Sequence, residues 1–295
     1  MPVELEPQPL SSRALDAILE PATAVVLAWI AAVGLVVHSD PLLATLVVLG
    51  GAGAFVAGLV GVGGAIVMIP LLLYVPPAIG TGHLTIHDVA AITMVQVLAS
   101  AASGLAGHMR EGFVDRRAVT TLGSGMLVGS LVGAAGSRWV NGGVLQATFA
   151  AMAAAAAMMM LFGRARVDAE APAGAWPASL GFALSLGVGL LAGAVGAGGA
   201  FLLLPLMLYT LHIPARVAVG SSLGVVMLGA TAGAFGKLVT GQIPGWPALA
   251  LVAGALPAAQ LGAATSRRLN AQALRGVLAV VIAAVALKMW WDLLR

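Results

Sequence analysis

Long apolar blocks separated by short polar joints fill nearly the whole chain. They lie at about residues 22–37, 42–75, 89–108, 118–137, 144–162, 178–211, 217–237, 247–266 and 274–291. A helix needs roughly 20 apolar residues to cross the hydrocarbon layer of a bilayer. The pattern therefore predicts an all-α polytopic membrane protein with about nine hydrophobic segments. Two blocks, 42–75 and 178–211, are too long for one straight crossing.

Those two long blocks share one signature. Gly58, Gly61, Gly63, Gly64, Ala65, Pro70, Leu71, Leu73 and Tyr74 recur 135 positions later as Gly193, Gly196, Gly198, Gly199, Ala200, Pro205, Leu206, Leu208 and Tyr209. The two tyrosines are the only ones in the chain. Glycine-rich breaks at corresponding places in two apolar halves point to the substrate site of a transporter. The likeness continues at offsets of 128 and then 129. Val89-Ala90 matches Val217-Ala218, Thr93-Met94 matches Ser221-Ser222, and Gly112 matches Gly241. Further on, Gly133-Ala134 matches Gly262-Ala263, Ser137-Arg138 matches Ser266-Arg267, and Asn141 matches Asn270. Each half is thus a duplicated unit. The expected organisation is a lead-in with a first helix (1–41), a first repeat (42–163), a polar linker (164–177) and a second repeat (178–295).

Composition and charge add orientation. The chain is 60% hydrophobic and 8% charged, against roughly 25% charged for a soluble domain. It has no cysteine, which excludes disulfides and thiolate metal sites. A net charge of +3 could suggest nucleic acid, but the arginines sit in short loops between apolar blocks and read as topology signals. The bilayer is the expected partner, and nucleic acid is not. Glu4, Glu6, Asp16 and Glu20 outnumber Arg13, so the N-terminus reads as a short cytoplasmic lead-in and not as a secretory signal. In the first half, Arg110, Arg116 and Arg117 lie between the second and third segments. In the second half, Arg267, Arg268 and Arg275 lie one connection later, and the 237–247 joint holds only Lys237. By the positive-inside rule, corresponding loops face opposite sides, which makes the halves inverted repeats. Arg164 and Arg166 also place the linker inside. Block 178–211 must then start and end on one side, as a re-entrant hairpin or two short crossings broken near Gly196–Gly199. Block 42–75 should do the same from the other face near Gly61–Gly64, so that the breaks meet near the midplane.

Glycine at such a break adopts backbone angles closed to other residues and exposes N–H donors. A helix restarting there offers unpaired donors and a positive dipole end, which together form a charge-free anion seat. Small-residue helix packing is the alternative use of glycine in a membrane helix. The duplication, the over-long blocks and the prolines at fixed distance favour the seat. Pro70 and Pro205 would each free a carbonyl or start a new helix. No acidic or basic residue falls in the middle of a block, which argues against a cation transporter or a carboxylate proton pump. The candidate substrate-binding residues are Gly61, Gly63, Gly64, Thr93, Gln96, Gly196, Gly198, Gly199, Ser221 and Ser222. Thr93, Gln96, Ser100 and Ser103 share one side of a helix. For each hydroxyl, a bond back to its own helix competes with substrate contact. His108 and Lys237 occupy equivalent places near helix ends. They read as snorkelling interface residues or as basic residues at the two mouths, where they could act as gates. His83, His87 and Asp88 lie in a Gly-rich loop and are not expected to hold a metal. Met158-Met159-Met160 reads as lipid-facing or packing filler. Trp139, Trp176, Trp246, Trp290 and Trp291 sit at block ends, as an aromatic belt would. No Walker motif is present, and no cofactor or enzyme activity is expected.

A glycine cluster followed by proline near the start of each half resembles the sulfite exporter TauE/SafE family of membrane transporters. Val219-Gly220-Ser221-Ser222-Leu223 is similar to that family's V-G-T-S-L. The chain departs from the family at Ala65 and Ala200, where a third glycine is frequent, and at Thr93-Met94, where Thr-Ser is typical. The resemblance implies a secondary transporter that exports or exchanges sulfite, a sulfonate or a related organic anion across the cell membrane by alternating access. A passive channel for small anions or neutral solutes is the alternative. An intramembrane enzyme or assembly subunit is disfavoured, since no buried acid–base constellation is visible. A homodimer stays open.

Overall fold

A computed structural model describes residues 34, 40–60, 65–108, 114–162, 176–266, 283–285 and 287–292. No strand occurs among the described residues. The helices are α1 (Pro41–Val60), α2 (Ala65–Ala78), α3 (Ile86–His108), α4 (Arg116–Gly136), α5 (Gly142–Phe162), α6 (Ala178–Val195), α7 (Ala200–Pro205), α8 (Ala215–Val239) and α9 (Gly245–Ser266). A 3-10 turn, Ser137–Trp139, follows α4, and a π turn, Leu206–Thr210, continues α7. Residues 283–285 and 287–292 are helical too. All but residue 34 of the expected span at 22–37, and most of the one at 274–291, lie outside the described residues.

Four helical stretches, Arg116–Trp139, Gly142–Met160, Ala178–Val195 and Val217–Val239, are long and apolar enough to cross a membrane. Shorter apolar helices lie at Pro41–Val56, Ala65–Ala78, Ile86–Ala102 and Ala200–Thr210. Their outer faces carry Val48, Val132, Phe235 and Leu261, all more than half exposed. An exterior this apolar suits lipid, while small residues bring the helix backbones together inside.

Polar residues fix the helix starts. Thr85 and Asp88 form a reciprocal cap, with the Asp88 N–H donating to Thr85 Oγ1 (3.2 Å) and the Thr85 N–H to Asp88 Oδ2 (3.0 Å). Asp88 is therefore spent on starting α3. The His87 Nε2 lies 3.0 Å from the Val140 carbonyl. No metal-ligating cluster exists among the described residues. Asp115 caps α4, accepting from the Arg117 N–H at 2.9 Å.

Glycines then set which helices meet. On α4, a Cβ at Gly125 would meet the Phe182 carbonyl at 2.6 Å and Leu186 N at 3.1 Å, and at Gly133 it would crowd Leu190 and Ala194 N. Contacts thus advance together along α4 and α6, which run parallel. The same contact recurs across the other half. A Cβ at Gly254 on α9 would meet the Val47 carbonyl and Gly51 N of α1. Gly254 is Gly125 shifted by 129, and Val47 and Gly51 are Phe182 and Leu186 shifted by 135. Each half therefore packs its first helix on the fourth helix of the other half, α1 on α9 and α6 on α4. Between these pairs, α3 packs on α8 and α9, and α4 on α8. The Asp115 N–H donates to Ser221 Oγ near the two helix starts, and Lys237 Nζ donates to Ser137 Oγ near the two ends (both 2.9 Å), so α4 and α8 are parallel as well.

Trp139, Trp246, Trp290 and Trp291 are exposed at element ends, as expected. Trp176 is not part of such a belt: it is buried, with the Arg117 guanidinium 5.5 Å from its ring centroid. Met158 is exposed, while Met159 and Met160 pack against the core.

Candidate functional site: the glycine break between α6 and α7

The second over-long block breaks where its glycines fall. Gly196 (φ 77°), Gly198 (φ 64°) and Gly199 (φ 74°) are all left-handed, a conformation that disfavours any residue with a Cβ. The N–H groups of Gly196 and Ala197 both fold back to the Ala192 carbonyl and close α6. The chain then restarts: the N–H groups of Leu202 and Leu203 donate to the Gly199 carbonyl at 3.2 and 2.8 Å. Between these two sets, the N–H groups of Gly198, Gly199, Ala200 and Phe201 have no acceptor among the described residues. Pro205 has no N–H of its own, and the helix passes from α to π at Leu206. All of Gly196–Pro205 is buried, so irregular backbone is enclosed by protein, as a membrane interior requires.

The break lies along α3. A Cβ at Gly196 would strike the Ala90 carbonyl, and one at Gly198 would strike Val97. The two turns between Ala90 and Val97 carry Thr93 and Gln96. Thr93 is buried and its hydroxyl donates to the Val89 carbonyl at 2.6 Å, the back-bond that competes with substrate contact. Gln96 is 2% exposed, and its Oε1 has no hydrogen-bond partner among the described residues. A buried acceptor left in that state calls for an explanation.

Ser222 also bonds back, to the Val219 carbonyl at 2.9 Å, while Ser221 accepts from Asp115 and ties α8 to the start of α4. Ser100 is half-buried; the Ser103 and His108 side chains lie outside the described residues, although His108 does end α3. The first break, with Gly61, Gly63 and Gly64, lies outside them as well. Its flanks match the second break in register: α1 ends at Val60 and α2 begins at Ala65, each 135 residues before Val195 and Ala200.

Lys237 departs from the expectation of a snorkelling residue. It is fully buried, two residues before α8 ends at Val239, because its stem turns inward and finds acceptors there. Its Nζ donates to Ser137 Oγ (2.9 Å), the Ala194 carbonyl (3.3 Å) and Gln242 Oε1 (3.4 Å). The Gln242 Nε2 donates onward to the Ala134 carbonyl (2.9 Å) and Thr240 Oγ1 (2.7 Å). Sequence reading missed Ser137 and Gln242, which lie 100 and 5 residues away from the lysine. The only signal was that Ser137 matches Ser266 in the repeat.

A family model described as sulfite exporter TauE/SafE matches residues 45–289. A "Probable membrane transporter protein YunE" of Bacillus subtilis (strain 168) is 27% identical over 266 residues, covering 84% of this chain and 97% of the relative. A "Probable membrane transporter protein" of Xylella fastidiosa (strain 9a5c) is 29% identical over 252 residues, covering 82% and 92%. No solved structure gives a match.

Proposed function

This chain belongs to the sulfite exporter TauE/SafE family, a multi-pass membrane protein of the cell membrane, and on that footing we propose that it exports or exchanges a small sulfur-containing anion by alternating access. The observation that carries the reading is the set of four N–H groups at Gly198–Phe201 without an acceptor among the described residues, laid against the helix that bears Gln96 and its unpartnered Oε1. Backbone donors at a helix start hold sulfite- or sulfonate-like oxygens without any cationic side chain. The matching register of the first break supports a two-sided site, with Gly61–Gly64 as the second wall.

Helix direction supports the inverted arrangement. Since α4 runs parallel to both α6 and α8, the chain between α6 and α8 returns to the end of the bundle where α6 began. That is the hairpin behaviour inferred from charge. The exchanged pairing of α1 with α9 and of α4 with α6 is what two related halves produce when they clasp around a central axis. Rocking one half against the other would open the breaks to alternate sides.

The test is flux in proteoliposomes with sulfite, thiosulfate, sulfate, a sulfonate and a carboxylate. Saturable uptake of one sulfur anion, accelerated by the same anion preloaded on the far side, is the expected result. Flux that never saturates and shows no counterflow would assign a channel instead.

A further inference from the structure

We propose that Lys237 is a positioning residue that fixes where the second glycine break sits, by gathering the C-terminal ends of three parallel helices onto one ammonium. Among the described residues it is the only buried charged side chain, and no carboxylate there reaches it. Its three donors are all used, and each leads to a different helix end. The Ala194 carbonyl belongs to the last turn of α6, one residue before Val195, where the helix stops. Ser137 caps α4, its hydroxyl lying 2.8 Å from both the Ala134 carbonyl and Gln242 Oε1, to one of which it donates at a time. Gln242 follows the end of α8 and closes the ring through Ala134 and Thr240.

A helix C-terminus carries about half a negative charge. Three such ends brought together in a dry interior repel one another and leave carbonyls short of donors. The ammonium answers both problems. Because Ala194 stands two residues before Gly196, holding its carbonyl also holds the start of the break, and with it the Gly196 and Ala197 N–H bonds to Ala192. The consequence for transport rests on the reading of that break as the anion seat.

The test uses Lys237→Met, which keeps the apolar stem and removes the donors, with Ser137→Ala as a milder second variant. Hydrogen exchange by mass spectrometry is read on peptides covering residues 193–199, with residues 150–157 of α5 as a control. Sulfite flux in proteoliposomes is read as apparent KM and Vmax. For Lys237→Met, exchange at 193–199 should rise about tenfold or more with the control unchanged, and apparent KM should rise about tenfold with Vmax held within about threefold. Ser137→Ala should move the same quantities in the same direction by less, and it decides the matter if Lys237→Met does not accumulate. Unchanged exchange at 193–199, or an equal rise in the control, overturns the proposal. A rise confined to 193–199 with KM unmoved supports the anchor and removes the break as the anion seat.

Discussion

Gly198 holds φ at 64° with Val97 against the place a Cβ would fill, so Gly198→Ala combines backbone strain of about 1–2 kcal/mol with a steric conflict. Sulfite flux should fall at least about tenfold when measured per molecule in the membrane. Equal flux at matched quantity would make the glycine a packing element. Gln96 gives the opposite balance. A buried, unpartnered oxygen costs about 1–3 kcal/mol, and Gln96→Leu removes it. The variant should therefore unfold at higher temperature in detergent while transporting less. A variant both less stable and fully active would show that the carboxamide serves packing. The glycines were legible in the sequence because they repeat; the Gln96 oxygen was not, since its lack of a partner depends on which elements fold around it. The same limit applies to Lys237, whose acceptors come from three helix ends that hydropathy cannot place side by side.

Helix packing turns on a few glycines whose substitution should separate by position. Gly129→Leu on α4 would drive a side chain into the Leu186 carbonyl and Leu190 N (2.8 Å) of α6, and loss of monodisperse protein on size-exclusion chromatography is expected. Gly187 on α6 has nothing within 4 Å of its Cβ position. Gly187→Ala should raise stability by up to about 1 kcal/mol by thermal unfolding, as alanine gains over glycine in a helix. Hydropathy located the helices to within a few residues. α3 begins at Ile86 rather than Val89 because the Thr85–Asp88 cap recruits polar residues into its first turn. The break at Gly196–Gly199 was legible from length and glycine together. The π turn after Pro205 was not, since no residue type announces it.

For the whole molecule, direction is the quantity at stake. The Arg110–Arg117 loop leads into α4 and the Lys237–Pro247 loop leaves α8; parallel helices put these loops at opposite ends of the bundle. Single cysteines introduced into this cysteine-free chain should label the first loop from the cytoplasm and the second from outside. Labelling of both from one side would sink the inverted arrangement. Charge is what carries this expectation in the sequence, because basic loops alternate with the repeat. The exchange of partners between halves was not, since it is written only in which glycines face which carbonyls.

That exchange also sets an order of events during biosynthesis. Gly129 on α4 meets α6, whose Gly189 is only 60 residues further along, so this contact forms as soon as the second half starts to emerge. Gly50 on α1 must wait for Leu251 on α9, some 201 residues later. At about 5–20 residues per second the delay is roughly 10–40 s. For that interval α1 stands in the bilayer with Gly50 and Gly51 unmatched, available to whatever helix drifts past, until α9, made late, captures a helix made early.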